Sequence, residues 1–200
     1  MENTPEGKCK IPELIHYKLK LGQNAKEEYF VKEKSQNDVV INNFNKPGTV
    51  KHPKIYIVKS GTEIIYVGYT QDSITNRLRT GLSPGNSDKS DKGKNLWNTG
   101  YAGYKWRFLD EVEYFVWVFD EIELPVEKEM KYLFENIEAE IVFKLKEKGS
   151  WPKYQSEIHF YSKIENQLPK TSEEVFGIAI SDVASIILDN LKNFGINRTR

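Results

Sequence analysis

Residues 54–70 read KIYIVKSGTEIIYVGYT. Two runs rich in β-branched and aromatic residues, Lys54–Val58 and Glu63–Tyr69, flank Ser60-Gly61-Thr62, and a glycine turn between such runs predicts an antiparallel hairpin. Each run holds a tyrosine among aliphatics, Tyr56 in the first and Tyr66 in the second, and the second continues Val67-Gly68. Tyrosine packs well on a pleated surface, so strand packing alone accounts for both. Any further role depends on what the rest of the chain brings to them.

Downstream, Ser73 suits the N-cap of a helix through Arg79, with Ile74 and Leu78 one turn apart. Gly81–Gly93 is a long loop, and Asn95–Phe108 (NLWNTGYAGYKWRF) mixes aromatic and basic residues. Glu111–Ile122 (EVEYFVWVFDEI) has apolar residues on both alternation phases after Tyr114, which predicts a central strand covered on both faces. Pro125 opens the strongest helix, which ends at Gly149. Trp151–Tyr161 predicts a turn into a short strand, and Ser181 to Phe194 an amphipathic last helix. The first fifty residues read as an appendage: weak helical spacing over Ile11–Leu21, a polar stretch, then the turn-rich Asn42–Gly48. The expectation is an α/β (α+β) fold, with a three-stranded mixed or antiparallel sheet flanked by helices over 51-165. Residues 1-50 form an N-terminal extension and 166-200 a C-terminal helical one.

A chain of 200 residues is long enough to bury a core. It contains no run of about 18 apolar residues, which excludes a membrane-spanning helix. Its start, MENTPEGKCK, lacks the apolar segment of a secretory signal. Cys9 is the only cysteine, so disulfides within the chain and CxxC metal sites are excluded, and a cytoplasmic location is expected. Basic and acidic residues balance at 29 each, which by itself argues against a nucleic-acid partner. Their distribution is uneven. From Lys51 to Leu109 ten Lys/Arg face four acids, whereas from Asp110 to Glu140 eleven acids face two lysines. This is compatible with a basic anion-binding face, and equally with solvated surfaces.

The long helix holds an anomaly. Met130, Leu133, Phe134, Ile137, Ile141, Val142 and Leu145 make one apolar stripe at helical spacing, and Glu138 falls inside it. A carboxylate there costs several kcal/mol, on the order given by burial of unpaired charge, unless it is paired, protonated or holding a cation. A Lys or Arg from an adjacent strand and a metal ion are both open as partners.

Taken in order, these features resemble the GIY-YIG nuclease superfamily. Lys54-Ile55-Tyr56 stands where that family has GIY, Tyr66-Val67-Gly68 where it has YIG, and Arg77 (in ITNRLR) at the arginine of the following helix. Glu138 (IEAEIV) matches the glutamate of the long helix, and Gln155 (WPKYQ) stands where an asparagine is usual. The resemblance covers about Lys54 to Phe160. Lys54 replaces the first glycine, Gln155 keeps an amide as in restriction-enzyme-like members, and Thr80-Gly81 follow Arg79 where some members carry a histidine.

The resemblance implies a metal-dependent, restriction-like DNA endonuclease, with a repair or mobile-element nuclease as an alternative, and with catalytic Tyr56, Tyr66, Arg77, Glu138 and Gln155. Tyr56 would activate water beside Tyr66, Arg77 would bind the phosphate, and Glu138 would hold one Mg²⁺ (or Mn²⁺) per site. Arg79, Lys89, Lys92, Lys94, Lys105 and Arg107, set among Trp97, Tyr101, Tyr104 and Trp106, would contact DNA, although Trp97 and Trp106 fit a core equally well. One active centre per chain implies a homodimer if both strands are cut. The rival readings are an inert nucleic-acid-binding module of the same fold and an interaction domain with no nucleic-acid role.

Overall fold

The structure, a computed structural model, describes residues 9–24, 29–82, 103–122, 127–156, 158 and 171–196. The hairpin forms as predicted: β4 (Lys54–Ser60) and β5 (Glu63–Thr70) are joined by Gly61-Thr62, with Gly61 at φ 57°. That left-handed backbone is open to glycine at little cost. β6 (Glu111–Val118) pairs antiparallel with β4 and is interior to the sheet. Its Tyr114, Val116 and Val118 pack on one face, and Phe115 and Trp117 on the other.

Among the described residues the sheet has six antiparallel strands rather than three. β1 (Leu14–Gln23), β2 (Tyr29–Gln36) and β3 (Val39–Val40) extend it in the order β3-β2-β1-β6-β4-β5. Ile11–Leu21, expected to be weakly helical, is therefore mostly strand. Ile15, Tyr17, Leu19 and Leu21 alternate with His16, Lys18 and Lys20, and this period of two prevails over the helical spacing of Ile11, Leu14 and Ile15. β1 docks against β6, so residues that read as an appendage cover one side of the central strand. Across that pair, His16 Nε2 lies 2.7 Å from Glu113 Oε2, and the buried imidazole stacks on Phe115.

Helices cover both faces. α1 (Ile74–Leu82) begins at the predicted cap, with the Asn76 amide donating to Ser73 Oγ at 3.2 Å, and packs on the Tyr56 face of the sheet. α2 (Glu127–Glu147), α3 (Ser172–Phe176) and α4 (Ile180–Ile196) lie on the opposite face. Leu133, Phe134, Ile137, Ile141, Val142 and Leu145 of α2 are all buried there. Gly149, at φ 76°, follows the end of α2 as expected. Trp151–Gln155 is a turn; the strand expected after it falls largely outside the described residues.

The register explains the glycine of Tyr66-Val67-Gly68. Gly68 sits directly opposite Tyr56, whose ring lies across the place a side chain at 68 would occupy. Gly81 of α1 makes the same allowance for the ring of Tyr104. We expect Gly68→Ala to lower stability by about 1–3 kcal/mol, the usual cost of overpacking a filled core. Chemical denaturation measures this; an unchanged midpoint would mean that the Tyr56 ring does not depend on that space.

Candidate active site

The site is assembled around the free edge of the sheet. β5 is the last strand among the described residues, where its outer amides and carbonyls have no strand partner. Three groups from elsewhere take them. The Tyr154 amide donates to the Ile65 carbonyl at 2.9 Å, the Val67 amide donates to Gln155 Oε1 at 3.2 Å, and the Tyr69 amide donates to Glu138. Gln155 Nε2 in turn reaches Glu138 Oε1 at 3.4 Å. The turn that presents Gln155 is held by its own amide on the Pro152 carbonyl, 3.0 Å, and by Trp151 Nε1 on the Gln155 carbonyl, 3.0 Å.

Glu138 thus leaves the apolar stripe of α2 to reach the rim of β5. Among the described residues no Lys or Arg nitrogen pairs with it. Burial pushes its carboxyl up to about 7; Arg77 opposes the rise, the Glu135 carboxylate one turn back adds to it, and the hydrogen bonds from Gln155 and Tyr69 oppose it. Of the two partners left open for Glu138, a lysine or arginine from a neighbouring strand is therefore not found. Its contacts are an amide side chain and a backbone N–H.

On the other face, Tyr56 and Arg77 meet directly. Arg77 Nε donates to the Tyr56 hydroxyl oxygen at 3.1 Å, and that oxygen lies 3.0 Å from the Tyr104 hydroxyl. The Arg77 guanidinium lies over the Tyr104 ring, 5.5 Å from its centroid. Tyr56 stacks on Tyr114 at 4.9 Å and on Tyr66 at 6.1 Å, while Tyr66 meets Tyr104 edge-on at 5.6 Å. Contact with the Tyr56 oxygen raises the already high pKa of Arg77 against the effect of burial, so the guanidinium stays charged. Burial pushes the Tyr104 and Tyr114 phenols well above the ordinary tyrosine range.

The predicted residues accordingly fall into two linked groups, Tyr56–Tyr66–Arg77 and Glu138–Gln155, and the charge of Arg77 is felt at Glu138. Two placements refine the sequence reading. Tyr56 has 0% exposure, so its hydroxyl faces Arg77 and Tyr104 rather than solvent, whereas Tyr66 is partly exposed. Tyr104, read from sequence only as a stacking residue, closes the cluster; its signal was the glycine at 81, which leaves room for its ring. Lys54, in place of the first glycine, is buried and donates to the Val50 and His52 carbonyls at 2.6 and 2.8 Å, tying down the loop before β4.

Of the residues assigned to DNA contact, Arg79 and Lys105 are exposed on the described surface. Arg107 donates to the Tyr104 carbonyl at 3.0 Å and lies over the Tyr29 ring. Lys89, Lys92, Lys94, Trp97 and Tyr101 lie outside the described residues. Trp106 is fully buried and stacked on Tyr104, which settles it as core.

The donor set suits a hard divalent cation. Glu138 is desolvated and lacks a cationic partner at ion-pair distance, and Glu135 Oε2 is buried without a hydrogen-bond partner among the described residues. No cluster of three or more His, Cys, Asp or Glu occurs among the described residues, so Glu138 and Glu135 are the acids that would hold such an ion. Comparison with protein-family models, curated proteins and solved structures finds no match to the chain.

The Glu138 carboxyl moves from 4.5 to about 7 in the fold. A raised value means that its contribution to stability is full below pH 4.5 and lost as pH rises through 7. Glu138→Gln should therefore stabilise the protein at pH 8 by on the order of 1–3 kcal/mol and have little effect at pH 4.5. Millimolar Mg²⁺ at pH 8 should raise the melting temperature of the wild type and leave Glu138→Gln unmoved. Thermal denaturation at both pH values checks this; equal destabilisation at both would show that the carboxylate is already compensated.

Proposed function

We propose that this chain is a metal-dependent endonuclease that hydrolyses DNA phosphodiester bonds through a GIY-YIG-like site, in the manner of a restriction enzyme acting in the cytoplasm. The observation that carries the reading is the pairing of an anchored guanidinium with a desolvated acid around one strand edge. Arg77 is fixed by Tyr56 and Tyr104, and Glu138 by Gln155 and the Tyr69 amide.

In this mechanism Tyr56 is a positioning residue. Its oxygen takes Arg77 Nε, which sets the plane of the fork and leaves the terminal amino groups for a phosphate. Arg77 then stabilises the charge that builds on the phosphoryl oxygens. Tyr66, the more accessible phenol, would orient the attacking water. Glu138, with Glu135 one turn back, would hold Mg²⁺ or Mn²⁺, which when bound supplies Lewis-acid polarisation of the phosphate and the departing 3′ oxygen. Gln155 keeps the Glu138 carboxylate turned to the rim. With one such centre per chain, a homodimer is the simplest way to cut both strands.

A catalytically inert module of the same fold is the second reading. It is favoured by the full burial of Tyr56 and by the edge-capping contacts of Glu138 and Gln155, which a scaffold also uses. Plasmid cleavage with Mg²⁺ separates the two. We expect nicking that is abolished by EDTA and by Glu138→Ala, and reduced at least about a hundredfold by Tyr56→Phe or Arg77→Ala. Since metal binding displaces the Glu138 proton, the rate should rise as pH climbs through 7. Binding without cleavage would favour the inert module, and no binding at low salt an interaction domain.

A further inference from the structure

Behind α1, away from Arg77, a cavity of about 290 Å³ opens between the helix and β2. Tyr29, Phe30, Val31 and Phe44 line one side, and Thr75, Leu78, Arg79 and Leu82 of α1 the other. Two cations reach it, Arg79 and Lys34, and among the described residues no acid lines it. Lys34 Nζ lies 5.5 Å over the Phe44 ring, and Phe30 leaves 44% of its surface exposed. Asn43 adds an amide.

This is an unusual lining for a surface hollow. Apolar walls favour a flat, weakly hydrated body, aromatic rings favour stacking, and two cations with no acid among the described lining residues favour an anion attached to it. A nucleotide combines these properties: the base stacks against the Phe44 side, the phosphate meets Arg79 and Lys34, and Asn43 offers a donor and an acceptor to a base edge. We infer that the cavity between α1 and β2 takes one unpaired nucleotide.

Position points to its source. Residues 77 and 79 are about 200° apart around a helix of 3.6 residues per turn, so Arg77 and Arg79 emerge on opposite sides of α1. The helix is about 10 Å across and nucleotides along a strand rise about 3.4 Å each, so a strand crossing α1 would seat a base about three positions from the phosphate at Arg77. This assignment to a DNA strand rests on the endonuclease reading; the nucleotide chemistry of the cavity does not.

The test uses the full chain with two probes, namely a duplex carrying a single bulged 2-aminopurine, with a matched duplex as reference, and free deoxyadenosine monophosphate. Thr75→Trp fills the mouth from an exposed position, and Arg79→Ala removes a cation; circular dichroism checks that both fold. We expect the wild type to bind the bulged duplex about tenfold more tightly than the matched one, and each variant to shrink that preference to about twofold or less. If DNA is bound and cut with no preference for the bulge, the cavity proposal is overturned while the nuclease reading stands. If no DNA binds but the monophosphate does, and Thr75→Trp abolishes it, the cavity is a free-nucleotide site and the endonuclease reading fails. Binding of neither probe overturns the proposal.

Discussion

The outer edge of β5 is the constraint on which the site depends. A terminal strand exposes amides that need partners, and here the partners are side chains with chemistry of their own. By accepting the Tyr69 amide, Glu138 is drawn out of the apolar stripe of α2 to the rim. By accepting the Val67 amide, Gln155 comes within reach of Glu138. The sheet edge thereby joins two faces that are otherwise separate, the α2 face with the carboxylate and the α1 face with Arg77. Its protection from unwanted strand pairing follows from these contacts.

On the α1 face the limiting factor is space. Tyr56, Tyr66, Tyr104 and Tyr114 contact one another through their rings, and two glycines, 68 and 81, remove the side chains that would collide with them. Such a cluster holds Arg77 more rigidly than a solvated arginine could be held, and a fixed guanidinium loses less freedom on meeting a phosphate. Desolvation then works in opposite directions at the two ends of the site. It is offset at Arg77 by the Tyr56 oxygen and is left largely uncompensated at Glu138, which sits near 7.

Much of this was legible in the sequence because it is local. The hairpin, the Ser73 cap, the central character of β6 and the misplaced Glu138 all follow from spacing within a few residues. The sheet's true width was not. β1 shows clean alternation from Ile15 to Leu21, but flanking apolar residues mimic a helix, and nothing local says that it pairs with a strand some hundred positions away. The partner of Glu138 was hidden for a related reason: backbone amides carry no signature in sequence, so a search for a lysine or arginine could not find the Tyr69 N–H. The burial of Tyr56 is likewise a tertiary outcome, set by Gly68 across the strand pair and by Tyr104 from beyond α1.

The central claim is that a divalent ion binds at the rim where Glu138 meets β5. Amide NMR with substoichiometric Mn²⁺ tests it most directly, because a paramagnetic ion broadens resonances close to it. The account predicts selective broadening of the Val67, Gly68, Tyr69 and Gln155 amides in the wild type and its loss in Glu138→Gln. Uniform weak broadening, or the same pattern in both proteins, would contradict it.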